Sequence, residues 1–183
     1  MSAKLQPQHD TEEPSADLID GLIADWRRER PDLDPEPMAV VGRLFRVYRQ
    51  LDARLAEILK PYGLRYSEFD VLATLLRSGE PYELTPTDLQ QAVVLTSGAM
   101  TALLDRLTRQ GLVARSQNKE DGRSKTAKLT RKGVQLASKL IALRFAEAGI
   151  DVECLSAGQK QDIVQLLKTL DQWLREAPPV SER

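Results

Sequence analysis

Nine basic side chains fall between positions 96 and 133: Arg106, Arg109, Arg115, Lys119, Arg123, Lys125, Lys128, Arg131 and Lys132. Only Asp105, Glu120 and Asp121 oppose them, so the stretch carries a net charge of plus six. Such a segment suits the phosphates of a duplex, whose condensed counterions are released as lysines and arginines replace them. Positions 1–34 carry four basic and nine acidic groups, a net of minus five, and the whole-chain charge of −1 conceals this asymmetry. Hydroxyls precede the basic run. Thr96, Ser97 and Thr101 have the chemistry to donate to bases or phosphates, and the Ala102 methyl suits thymine. Catalysis is poorly provided for. The one histidine is His9, Cys154 has no histidine near it in sequence, and no metal-ligand spacing or phosphate-cradling glycine loop is present. The chain therefore reads as a non-enzyme without a cofactor.

The elements that must position these groups are legible around them. Thr85 suits an N-cap and Pro86 a first helical position, with Leu89, Ala92 and Val93 recurring at helical spacing. After a break at Leu95, Thr96 and Ser97 open a second helix to Gln110, with Met100, Leu103, Leu104 and Leu107 on its apolar face and Gly111 as its stop. Thr101, Asp105, Thr108 and Arg109 occupy the other face. LVARSQ and SKTAKLT then read as two strands around the charged turn 118–123. Helix, turn, helix and basic-tipped hairpin make a winged helix-turn-helix, whose second helix fits a major groove while the hairpin reaches backbone or minor groove. Arg123 at the tip has the reach for a narrow minor groove or is a solvated turn arginine. Lys119 and Lys125 suit phosphate contacts.

Further helices flank this reader. The pattern predicts a helix over 15–30 with Leu18, Leu22, Ile23 and Trp26 on one side, then a long helix opened by Asp34 and Pro35 and ended by 61–63. Ser67 reads as the cap of a helix through Leu76, and is counted among the DNA-binding residues. Thr130 opens another to about Ala148, and Ser156 a last one through Glu176. The fold class is mainly α with a small β-wing. The predicted organisation is a disordered tail (1–14), an extra N-terminal helix and loop (15–34), a long dimerisation helix (35–62), the winged helix-turn-helix (63–133), C-terminal dimerisation helices (134–177) and a tail (178–183). With 183 residues and 42% hydrophobic content, one sizeable core is expected. No apolar run approaches the ~20 residues of a membrane span, the polar start lacks a signal-peptide apolar region, and a lone cysteine fits a reducing cytoplasm. Ile163, Leu166, Leu167, Leu170, Trp173 and Leu174 make a stripe on the last helix that either packs on the chain's own core or meets a partner subunit.

TSGAMTALLDRLTRQGLVAR followed by EDGRSKTAKLTRKG resembles the MarR family of bacterial transcriptional regulators. The matching motifs are Asp-Arg-Leu at 105–107, Gly-Leu-Val at 111–113, Asp-x-Arg-Ser at 121–124 and Leu-Thr-x-x-Gly at 129–133. The resemblance implies a homodimer whose terminal helices interleave, placing two recognition helices on successive major grooves of a pseudo-palindromic double-stranded DNA. It also leaves Arg106 two roles, touching DNA or bracing the helix against the wing at Asp121.

The extra N-terminal helix resembles that of the family's urate-responsive branch, in which a tryptophan on that helix joins an aspartate after the dimerisation helix. Trp26 and Asp70 match these, and Arg115 matches an arginine shortly after Gly-Leu-Val. Leu103 stands where the branch carries a further arginine, so a more apolar aromatic or phenolic carboxylate suits this chain better than urate. Trp26 would stack on its ring and Arg115 answer its charge. The plainer alternatives are a packing tryptophan, an ordinary ion-pair aspartate and a phosphate-contacting arginine. The favoured function is a homodimeric, ligand-responsive DNA-binding regulator, a repressor released by a small aromatic anion. The alternatives are a winged-helix protein-interaction module and a redox-sensing regulator using Cys154.

Overall fold

The computed structural model describes residues 15–93, 97–117 and 125–178. They form two compact units, one reaching to Asp52 and one beginning at Ala53, with helix α2 (Glu36–Leu59) running across the boundary.

In the first unit, α1 (Leu18–Glu29) begins later than the Ser15 expected from its pattern. The Asp17 carboxylate fixes the start by accepting from the amides of Ile19 and Asp20 at 2.8 and 3.1 Å, and Asp20 accepts from the Asp17 amide at 2.9 Å. This reciprocal capping satisfies amides that a helix start otherwise leaves unpaired. Arg43 of α2 donates to both carboxylates, at 3.0 Å to Asp17 and 2.7 Å to Asp20. Ile19 lies against Gly42, where an added Cβ would come within 3.2 Å of its side chain. Ile19 and Ile23 are consequently the buried pair, and the expected Leu18, Leu22 and Trp26 are exposed. One residue of helix is about 100° of rotation, so the Arg43 link turns the neighbouring face inward.

The second unit holds the main core. Leu55 and Leu59 at the end of α2 join Phe69, Val71, Leu72 and Leu75 of α3 (Tyr66–Arg77), Leu89 of α4 (Pro86–Ala92), and Met100, Leu103, Leu104 and Leu107 of α5 (Ser97–Arg109). Ala137 and Leu140 of α6 (Arg131–Asp151) complete it. Thr85 caps α4 as expected, its hydroxyl accepting from the Asp88 amide at 3.2 Å. Ser67 does not cap α3. The helix begins at Tyr66, one residue before it, and the Glu68 carboxylate closes the end by accepting from the Arg65 amide at 2.8 Å. Gly111 ends α5's turn with φ +70, a left-handed conformation that favours glycine.

The two expected strands are β2 (Val113–Gln117) and β3 (Lys125–Leu129), paired antiparallel from Val113↔Leu129 to Gln117↔Lys125. A two-residue strand, β1 (Glu83–Leu84), was too short to announce itself by alternation. It pairs with β3 through Glu83↔Lys128 and Leu84↔Ala127, giving the order β1-β3-β2. Thr130 caps α6, which runs three residues beyond the expected Ala148, and Ser156 caps α7 (Ala157–Glu176). Nothing in α7 is buried, and Leu166, Trp173 and Leu174 are 69%, 62% and 64% exposed. Among the described residues, no helix is long and apolar enough to cross a membrane.

The junction between wing and α6 explains the closing Leu-Thr-x-x-Gly motif. The Leu112 carbonyl accepts from the Thr130 amide at 3.0 Å, while the Thr130 hydroxyl donates to the Gly111 carbonyl at 2.7 Å and accepts from the Gly133 amide at 3.0 Å. A Cβ at Gly133 would lie 2.0 Å from the Leu112 oxygen. That contact is with backbone, which a side-chain rotation cannot relieve. Gly133→Ala is expected to destabilise the fold by roughly 2–3 kcal/mol, read as a lowered denaturant midpoint. An unchanged midpoint would refute the close approach.

Candidate nucleic-acid interface

Helix α5 has one face in the core and one in solvent. Met100, Leu103, Leu104 and Leu107 are buried, whereas Thr101, Ala102, Asp105 and Thr108 are exposed. Two ion pairs then set its orientation. Arg106 Nε lies 2.8 Å from Glu68 Oε1, and the same guanidinium donates to the Gly63 carbonyl at 2.9 Å. Glu68 is only 4% exposed, so one buried carboxylate both closes α3 and holds α5. On the other side, Arg115 of β2 reaches Asp105 at 2.8 Å and donates to the Thr101 carbonyl at 3.2 Å. The helix is therefore braced against α3 and against the wing, and its Thr101–Ala102 surface faces outward between them. Gln110 and Lys132 add a third tie, the lysine Nζ donating to the Gln110 carbonyl at 2.9 Å. A cation there complements the carbonyl-rich end of α5.

These contacts revise the meaning of the basic run. Arg106, Arg115 and Lys132 are engaged within the domain, and Lys128 sits 3.9 Å from Glu83. Arg109 and Arg131 are exposed. Thr96, Lys119 and Arg123 lie outside the described residues, as does Asp121, and so do the side chains of Ser97 and Lys125. Ser97 begins α5 and Lys125 begins β3, which puts one at the N-terminal end of the recognition helix and the other at the tipward end of the wing. Ser67 is partly buried in the first turn of α3.

Sequence reasoning missed Glu68 and Glu83. Glu68 stands three residues after Arg65, the spacing at which a glutamate reaches back to a helix start, and this was a readable sign. Glu83 had none, because its role depends on β1. Its Oε1 accepts from Ser116 Oγ at 3.0 Å and from Thr126 Oγ1, and the two hydroxyls are 2.8 Å apart.

The expected ligand residues are distributed differently. Asp70 lines a cavity of about 430 Å³ with Phe69, Arg77, Ile141, Arg144 and Phe145. Burial pushes its carboxyl above the ordinary range, partly offset by Arg77. Arg115 lines a separate cavity of about 240 Å³ with Pro86, Thr101, Leu104, Thr126 and Ala127. Asp70 and Arg115 thus do not share a cavity, and Trp26 is an exposed residue, at 56%, of the first unit. Leu103 belongs to the core. Cys154 is exposed between α6 and α7. Among the described residues, no group of His, Cys, Asp and Glu is placed to hold a metal.

Residues 62–124 match the model of the MarR family. The chain is 38% identical over 123 residues to the HTH-type transcriptional regulator PecS of Dickeya dadantii, covering 67% of this chain and 74% of the relative. Its structure resembles that of a mutant MarR from E. coli complexed with operator DNA, with 26% identity, a TM-score of 0.63, and coverage of 79% and 96% of the two chains. AbsC of Streptomyces coelicolor shares the fold at a TM-score of 0.71 with 22% identity, over 79% of this chain and 98% of AbsC. These relatives are transcription regulators, not enzymes.

The two faces of α5 predict separable variants. Arg106→Ala leaves Glu68 buried without its cation and is expected to lower stability by about 1–3 kcal/mol in denaturant titration. Thr101→Ala, on the outward face, is expected to keep the unfolding midpoint within about 0.5 kcal/mol while weakening binding to duplex. A Thr101→Ala variant that binds duplex normally would remove this surface from the reading face.

Proposed function

The chain belongs to the MarR family of DNA-binding transcriptional regulators, and from that premise we propose that it works as a cytoplasmic homodimer that represses by occupying an operator. The observation that carries this reading is the two-sided bracing of α5, with Thr101 and Ala102 exposed on its outward face beside a wing rich in basic residues. Ser97, Thr101 and Ala102 read base edges in a major groove. Ser67 and Thr96 contact phosphate near the heads of their helices. Arg123 enters the adjacent minor groove, and Lys119 and Lys125 hold the backbone beside it. Arg106 acts through Glu68, orienting the helix without touching DNA.

A second copy is supported by α7, where Ile163, Leu166, Leu167, Trp173 and Leu174 are exposed. Burying an exposed leucine or tryptophan is worth roughly 1.5–3 kcal/mol, so several together favour association strongly. A two-fold dimer presents two recognition helices to a pseudo-palindrome with half-sites about 34–36 Å apart.

Regulation by a small aromatic anion is the second half of the proposal. Arg115 is its focus, because the residue lines a cavity and its guanidinium holds Asp105 of α5. A carboxylate entering there competes with Asp105, loosens the recognition helix and lowers affinity for the operator. Asp70, with Arg77 and Arg144 in the larger cavity, offers a second seat for such a ligand. The exposed ring of Trp26 offers an aromatic face on which a ligand can stack.

Selection of duplexes from a random pool tests the regulator reading. The full-length protein should enrich a pseudo-palindrome, and its affinity should fall steeply with salt. Arg123→Ala should weaken binding by about tenfold and leave the dimer intact in light scattering. Enrichment of nothing beyond nonspecific duplex would sink the proposal. For the ligand, titration of a Trp173→Phe variant with salicylate or urate should quench Trp26 fluorescence saturably and release the duplex. No saturable change with either would remove Trp26 from the ligand's partners.

A further inference from the structure

The root of the wing is held by a side chain from outside the hairpin. β1 pairs with β3 only at Ala127 and Lys128, because the chain then turns away at Thr85 to cap α4. From Thr126 toward the tip, β3 has no backbone neighbour from β1. The Glu83 side chain reaches across this gap. It stands opposite Lys128 and runs diagonally to Thr126, a distance that long side chains span on one face of a sheet. Its Oε1 accepts from Thr126 Oγ1 and, at 3.0 Å, from Ser116 Oγ on the far strand. Ser116 and Thr126 are themselves cross-strand partners, one register step from the last described pair, Gln117↔Lys125. Thr126 is buried, so removal of the Glu83 carboxylate leaves its hydroxyl with Ser116 as its remaining partner.

We propose that Glu83 is a positioning residue for DNA binding: its carboxylate ties β1, β3 and β2 together at the wing root and so holds the two hairpin strands in the orientation that binding requires. A two-stranded ribbon has little stiffness of its own and twists readily. The ionised carboxylate supplies an acceptor without a competing proton, and charge-assisted bonds of this kind are about twice as strong as neutral ones. The tie rests on the reading of the wing as a DNA contact. Glu83 itself lies on β1 and acts through the hairpin strands it holds.

The test uses full-length protein and a duplex obtained by selection. Glu83→Ala is expected to lower affinity about tenfold, the scale of a lost wing arginine, with the dimer folded by circular dichroism. Glu83→Gln retains an acceptor and should stay within roughly threefold of the parent. The double variant Glu83→Ala/Arg123→Ala should bind no worse than Arg123→Ala alone, because a misaimed wing has already lost that contact. Hydroxyl-radical footprints of the two single variants should lose protection at the same flanking minor groove. A Glu83→Ala protein that binds like the parent while Arg123→Ala is weakened would overturn the proposal. So would multiplicative losses in the double variant, which would make Glu83 a general stabilising contact. If Arg123→Ala binds normally, the wing reading has failed first, and the positioning role falls with it. Thr126→Val, which keeps shape and removes the hydroxyl, gives the same comparison if Glu83→Ala does not fold.

Discussion

The winged helix depends first on the Glu68 carboxylate. Buried among the packed helices, it has two oxygens and two tasks: one accepts from the Arg65 amide and closes α3, and the other pairs with Arg106 of α5. A carboxylate so placed is unfavourable unless both oxygens are satisfied. It is therefore a directional constraint. Leu103, Leu104 and Leu107 give α5 an adhesive face, but apolar packing alone tolerates rotation and sliding. The Arg106–Glu68 pair fixes the rotation at one end, and Arg115–Asp105 fixes it against the wing. A helix intended to register with base edges needs that kind of restraint, because a reading residue displaced by an ångström meets the wrong atom.

The same economy runs through the sheet. Its three strands are short, and β1 contributes only two residues, so backbone pairing alone leaves the hairpin weakly attached. Side chains complete the attachment. Glu83 spans the strands from one edge, Thr130 and Gly133 fasten the exit to α6, and Lys132 binds the end of α5. Charge in this region is thus divided between two tasks. Some of it builds the reader, and Arg109 and Arg131 remain exposed.

Much of this was legible in the sequence because it is local. Thr85, Thr130 and Ser156 cap helices as their types and spacing indicate, Gly111 takes the left-handed turn, and the apolar face of α5 is the one its periodicity marks. What was not legible is nonlocal. Net charge cannot distinguish Arg106, whose partner is 38 residues earlier, from an arginine offered to DNA. A two-residue strand has no alternation to detect, so Glu83 was invisible as part of a sheet. Ser67 looked like a cap because serine often is one, whereas a glutamate one position later took the role. On α1, Leu18, Leu22 and Trp26 looked inward by hydropathy together with Ile23, yet only Ile23 is buried, with Ile19 beside it next to the cap at Asp17.

Arg115 shows why reading and regulation would converge on the same few atoms. Its guanidinium has one rigid fork, which serves the Asp105 carboxylate and the Thr101 carbonyl, and the residue also lines a cavity. Thr101 lies on the outward face, so whatever moves Arg115 moves a group one side chain away from the proposed base contacts. The pair is partly exposed, and an exposed ion pair contributes about 0–1 kcal/mol. Such a brace is strong enough to bias a helix orientation and weak enough for a competing anion to displace. A pair built on a buried carboxylate, like Arg106 with Glu68, holds the helix against a ligand of modest affinity, because breaking it leaves that carboxylate without its cation. The difference between a brace on the buried Glu68 carboxylate and one on the exposed Asp105 carboxylate therefore gives α5 a fixed pivot at α3 and an adjustable restraint at the wing.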